Sequence, residues 1–158
     1  MPDANYAWSD LPNLTVAELL SLFGATIDEL RRREIVRSAN NPLSDYAELL
    51  FCKAFGWKRE DKATPGYDAT DSNGVHYQIK ARGLTHPSRQ LGVIRDLDKH
   101  PPPFDQLAGV LMDKDFRIVR AALVSVSVCA MCHRRYSAAI VGGSSCGIVF
   151  GRWTAFAT

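Results

Sequence analysis

Several things are scarce in these 158 residues, and each scarcity excludes a class of protein. No apolar run reaches the roughly 18 residues that a helix needs to cross a bilayer, so no membrane partner is expected. Met1-Pro2-Asp3-Ala4-Asn5-Tyr6 has neither the basic start nor the apolar stretch of an export signal. With such a start, four cysteines (Cys52, Cys129, Cys132, Cys146) point to a reducing, cytoplasmic setting. The formal net charge is only +2, so bulk charge demands no polyanionic partner. Internal repeats and low-complexity tracts are absent too, which leaves one fold to look for.

The length suits a single domain that buries about two-thirds of its unfolded surface. We expect residues 1–158 to form that domain, with a helical extension over 1–40, a core over 42–123, and a helix with closing strands over 124–158. Basic residues cluster locally at Arg31-Arg32-Arg33, Lys58-Arg59, Lys80 with Arg82, and Arg134-Arg135. Each cluster is either a phosphate-facing patch or a solvated surface.

Thr15 precedes an apolar stripe at Val16, Leu19, Leu20, Leu22 and Phe23, with Glu18 at the capping-box position, and Gly24 is expected to end that helix. Thr26 and Glu29 repeat the pattern up to Val36, which predicts an N-terminal helical hairpin. Asn41-Pro42 starts a further helix through Phe55, stopped by Gly56. That helix is apolar except for Glu48, a carboxylate in a semi-buried place that needs a partner. Residues 104–112 and 117–128 predict strands, the second kinked near Leu123. Ser88 to Leu97 reads as helix or strand, Cys129 to Tyr136 as helix, and 138–158 as closing strands. The fold class is α/β, one mixed sheet flanked by helices.

The informative stretch is Pro65 to Gly83, two strands around the turn Asp71-Ser72-Asn73-Gly74. After the turn, Val75, Tyr77, Ile79 and Ala81 share one face, and His76, Gln78, Lys80 and Arg82 the other. A two-residue loop would send Asp68 into the core. A three-residue loop, Ser72 to Gly74 with Gly74 left-handed, pairs Asp68 with Gln78, and this register is expected because an unpaired buried carboxylate costs several kcal/mol.

Asp68, Gln78 and Glu48 are oxygen donors of the kind that Mg²⁺ takes. Lys80, on the Gln78 face, suits the placing of an attacking water or the stabilising of charge on a phosphate. In this combination, Gly66-Tyr67-Asp68, then Gln78-Ile79-Lys80, with Glu48 on the preceding helix, the chain resembles the PD-(D/E)xK nuclease superfamily over residues 42–123. The Gln-x-Lys form is similar to that of Mrr-like and other restriction-type endonucleases.

The resemblance implies a restriction-endonuclease-like core and an Mg²⁺-dependent endonuclease acting on DNA, with Mn²⁺ as a substitute. It makes Asp68, Gln78, the Ile79 carbonyl and Glu48 metal ligands and Lys80 the catalytic lysine. Arg82, Arg89 and Arg95 would hold the nucleic-acid backbone. A homodimer and a partner methyltransferase are expectations of the same kind. Gln78 stands where an acid is usual, which weakens metal binding, so a DNA-binding or assembly module with a lost site is the alternative reading.

Cys129-Ala-Met-Cys132-His133 formally matches covalent haem attachment, which requires export, and falls short of the four ligands of a structural zinc site. Buried thiols are the favoured reading of these cysteines.

Overall fold

The computed structural model describes residues 8–84, 97 and 99–130. The chain divides into two compact units, Met1–Pro42 and Leu43–Thr158. In the first, a 3₁₀ turn over Trp8–Asn13 leads into helix α1, Val16–Arg32. Thr15 starts α1 as expected. Its hydroxyl accepts the Glu18 N–H at 3.3 Å while the Glu18 carboxylate accepts the Thr15 N–H at 2.7 Å, the reciprocal capping box.

The N-terminal helical hairpin is not formed, because α1 runs unbroken through Gly24. Val16, Leu19, Leu20, Phe23, Ile27 and Leu30 keep helical spacing across that glycine, and a glycine inside a helix costs only about 1 kcal/mol. Thr26 caps nothing, since its hydroxyl donates to the Leu22 carbonyl one turn back at 2.8 Å. Glu29 grips Arg32 and Arg33 at 2.7 Å instead of closing a second capping box, and their guanidinium groups hold its carboxyl down at about 2. The helix stops where Glu34 turns left-handed, at φ 59°.

In the second unit, α2 spans Leu43–Phe55 and ends at Gly56, whose φ of 69° is the left-handed stop that glycine supplies without a side-chain penalty. Five strands follow: β1 (Lys58–Arg59), β2 (Ala69–Thr70), β3 (His76–Gly83), β4 (Gln106–Met112) and β5 (Ile118–Ser125). They lie in one mixed sheet in the order β1-β2-β3-β4-β5, antiparallel throughout except for the parallel β3–β4 pair. The α/β class with a mixed sheet is therefore as expected. Sequence reasoning did not foresee β1, two charged residues without alternation.

The strand after residue 117 bends at its start rather than near Leu123. Arg120 faces Leu111 and Ile118 faces Met112, which leaves Val119 as the extra residue of a bulge. Residues 126–130 are already helical. All but Leu97 of the element expected over 88–97, most of the helix expected from Cys129, and the closing strands of 138–158 lie outside the described residues.

Period-two alternation on β3 distributes the core. Val75, Tyr77, Ile79 and Ala81 join Ala108, Val110 and Met112 on the face that α2 covers with Ala47, Phe51 and Cys52. Trp57 stacks between this helix and the sheet, its ring 5.9 Å from Phe51 and 3.7 Å from Tyr77. A second cluster, Leu97, Phe104, Leu107 and Cys129, packs with Tyr67 on part of the opposite face. No helix among the described residues is long and apolar enough to cross a membrane.

The hairpin register is the three-residue one. Ala69 faces Tyr77 and Thr70 faces His76, the Asp71 N–H donates to the Val75 carbonyl, and Gly74 sits at φ 80°. Asp71 ties the turn together, accepting the Asn73 and Val75 N–H groups at 2.9 Å each and the Tyr77 hydroxyl at 3.1 Å. The Val75 N–H is the largest cause that holds the Asp71 carboxyl below its ordinary value. A carboxyl lowered by folding stabilises the native state above its unfolded value and loses that contribution as pH falls through the folded one. Part of the stability followed by circular dichroism should therefore be lost as pH falls below the ordinary carboxyl range and through the lowered value of Asp71. Asp71→Asn should lower the melting temperature at pH 7 and shrink the difference in stability between pH 7 and pH 3.

Candidate metal centre

The site is built where the hairpin opens. The ladder between β2 and β3 stops at Ala69 and Tyr77, with one further bond from the Asp68 N–H to the Tyr77 carbonyl at 2.8 Å. Beyond it, the Ile79 N–H meets a side chain instead of a strand: Asp68 Oδ2 accepts it at 2.6 Å. The same oxygen accepts the Gln78 carboxamide Nε2 at 3.2 Å. Asp68 thus stands directly across from Gln78, as the expected register requires.

The chain leaves β3 because of the residues just before Asp68. Gly66 has φ 98°, a conformation that side chains rarely adopt, and a Cβ there would lie 2.7 Å from Pro103 Cβ. Turning at Gly66 carries Tyr67 to the face opposite α2, where its ring stacks on His76 with centroids 4.0 Å apart. A strand that continued would have put Tyr67 beside Ile79 on the other face.

Strand geometry places a further oxygen in the gap. The N–H and C=O of one strand residue point the same way, so the Ile79 carbonyl is directed toward the side where Asp68 caps its N–H. Lys80 follows on the Gln78 face, half-buried, opposite Gly109, which adds no side chain there. No ion pair among the described residues engages Lys80. Arg82 is next on that face, whereas Arg89 and Arg95 lie outside the described residues.

Glu48, expected in a semi-buried place, is buried, and its carboxylate meets Arg59, whose Nε donates to Glu48 Oε2 at 3.0 Å. Arg59 also donates to the Asp45 carbonyl at 2.9 Å, and Lys62 lies 3.0 Å from the Asp45 carboxylate. Arg59 sits opposite Ala69, the residue after Asp68, so this network ties α2 to the sheet one step from the gap. Asp45, Arg59 and Lys62 were not foreseen. The bonds join positions 11, 14 and 17 apart in sequence, and no local pattern signals such pairs.

Hydrogen bonds therefore bring Asp68, Gln78 and Ile79 together, Lys80 and Arg82 share the Gln78 face, and Glu48 is engaged with Arg59. Among the described residues no three His, Cys, Asp or Glu side chains converge as a metal cluster. A cation here would rest on one carboxylate and neutral oxygens, keeping several waters as Mg²⁺ commonly does. No protein-family model matches the chain, and a search of curated proteins finds no match.

Breaking a buried ion pair from one side costs about 3–5 kcal/mol. Arg59→Ala should destabilise the second unit by about that amount in urea unfolding. Arg59→Lys, which restores the charge but not the fork, should recover only part of the loss.

Proposed function

We propose that this protein is an Mg²⁺-dependent endonuclease hydrolysing DNA phosphodiester bonds, restriction-type in its chemistry, with Mn²⁺ as a workable substitute. The observation that carries this reading is the convergence of Asp68, Gln78 and Ile79 where β2 leaves β3, with Lys80 next along the same face. The resemblance to PD-(D/E)xK nucleases rests on these residues. The order of helix, antiparallel meander and parallel return supports a restriction-endonuclease-like core.

Carboxylate, amide and carbonyl oxygens fit a hard octahedral cation. When bound, Mg²⁺ lowers the pKa of water toward neutrality and offsets charge on the phosphate. Asp68 has one oxygen on the Ile79 and Gln78 donors and would turn the other to the cation. Gln78 would rotate its carboxamide so that oxygen, not nitrogen, faces the same point. Lys80 would hold the attacking water and meet the charge that develops on the phosphate. Glu48 would act at one remove as the outer carboxylate, since Arg59 already holds one of its oxygens. Arg82, with Arg89 and Arg95, would grip the DNA backbone. A homodimer matched to a two-fold site, a partner methyltransferase and a cytoplasmic setting belong to the same proposal.

One observation favours a second reading, a DNA-binding or assembly module without catalysis. Gln78 donates its amide to Asp68, which satisfies part of the carboxylate with no cation at all. Nicking of supercoiled plasmid separates the two. Asp68→Asn, which retains an acceptor for the Ile79 N–H, and Lys80→Ala should each slow Mg²⁺-dependent nicking about 10²–10³-fold or more with melting temperatures little changed. Undiminished nicking by both variants would overturn the assignment, and salt-dependent binding without nicking by the native protein would select the module.

A further inference from the structure

His76 lies two residues before Gln78 on the same face of β3, about 6.4–6.8 Å along the strand. Its imidazole is nearly parallel to the Tyr67 ring, 12° apart with centroids 4.0 Å apart, and Tyr67 is itself anchored against the Leu97, Phe104 and Leu107 cluster. The His76 side chain nonetheless remains 41% exposed. Its backbone is pinned as well: the His76 N–H donates to the Asp105 carboxylate at 2.8 Å and the His76 carbonyl accepts the Asp105 N–H at 2.9 Å. The result is a flat ring, backed on one face and partly exposed, two residues along the strand from Gln78.

Charge along β3 is graded. Asp105 lies 4.0 Å from His76 Nδ1, whereas Lys80 and Arg82 stand at the other end of the face. A phosphate is drawn to the Lys80 end and repelled from the Asp105 end. A flat group without charge is what the His76 end accepts. A nucleotide strand has both parts at this spacing, a charged backbone and a neutral base with a π-face, and aromatic shelves beside basic tracks hold single strands in this way.

We infer that His76, backed by Tyr67, is a stacking seat for a nucleobase next to the phosphate drawn to Lys80. This rests on the nuclease reading for the position of the phosphate. A base inside a duplex is stacked on both faces, so to occupy the seat it must be flipped out of the duplex or lie in a single strand, a flap or a frayed end.

The test uses the full chain and a single-stranded DNA oligonucleotide carrying 2-aminopurine, in EDTA so that cleavage does not intervene. Binding should quench the fluorescence severalfold in the native protein and in His76→Phe, which keeps a flat ring. His76→Ala should abolish the quench and weaken binding about fivefold to a hundredfold. The native protein should prefer the single strand to the matching duplex. Equal quenching by native protein and His76→Ala, failure of His76→Phe to restore it, or no quench at all would overturn the seat. Cleavage in Mg²⁺ on the same oligonucleotide is scored apart. Quenching without cleavage removes the nuclease reading and keeps the seat, whereas cleavage without quenching does the reverse.

Discussion

The Asp68 carboxylate stands where β2 leaves β3, and its 2.6 Å bond to the Ile79 N–H replaces the ladder bond that a continuing strand would have supplied. A backbone N–H left without a partner in a partly buried place costs about 1–3 kcal/mol, so the strands can separate here only because a side chain takes over. Everything nearby depends on that exchange. It turns one carboxylate toward Gln78, ends the pairing of β2 with β3, and lets Tyr67 cross to the opposite face. Gly66 makes the departure possible, and Pro103 packs where any larger residue would need room.

The two faces of β3 then serve different ends. One is sealed by α2 and the stacked rings of Trp57 and Tyr77. The other carries His76, Gln78, Lys80 and Arg82 in a row. The ion network around Arg59 lies on the sealed side, and its burial explains why Glu48 is tied to the scaffold. A buried carboxylate held by a half-buried guanidinium is poorly placed to move, so the Asp68 side of the site has the greater freedom to meet a cation.

The hairpin was legible in the sequence because its signals are local. Turn chemistry at Asp71 to Gly74, strict alternation after Val75, and the cost of burying Asp68 together select one register. The Thr15–Glu18 capping box and the Gly56 stop were legible for the same reason. The helical hairpin expected before residue 40 is not formed because the apolar stripe of α1 continues through Gly24, the expected stop, and Thr26, the expected cap. Lys58-Arg59 showed no strand signal, since a two-residue edge strand is held by its partner and not by its own pattern. The Arg59 network and the Tyr67–His76 stack depend on residues brought together only by the sheet, so no spacing announces them.

The claim that most depends on this geometry is that a divalent cation binds in the gap between Asp68 and Ile79. Titrating the isotopically labelled protein with Mn²⁺ and following paramagnetic broadening of its amide signals measures that directly. Ile79, Asp68 and the Gln78 carboxamide should broaden first, Mg²⁺ in excess should reverse the effect, and Asp68→Asn should abolish it. Broadening centred elsewhere, or a native protein whose signals at these positions ignore Mn²⁺, would contradict it.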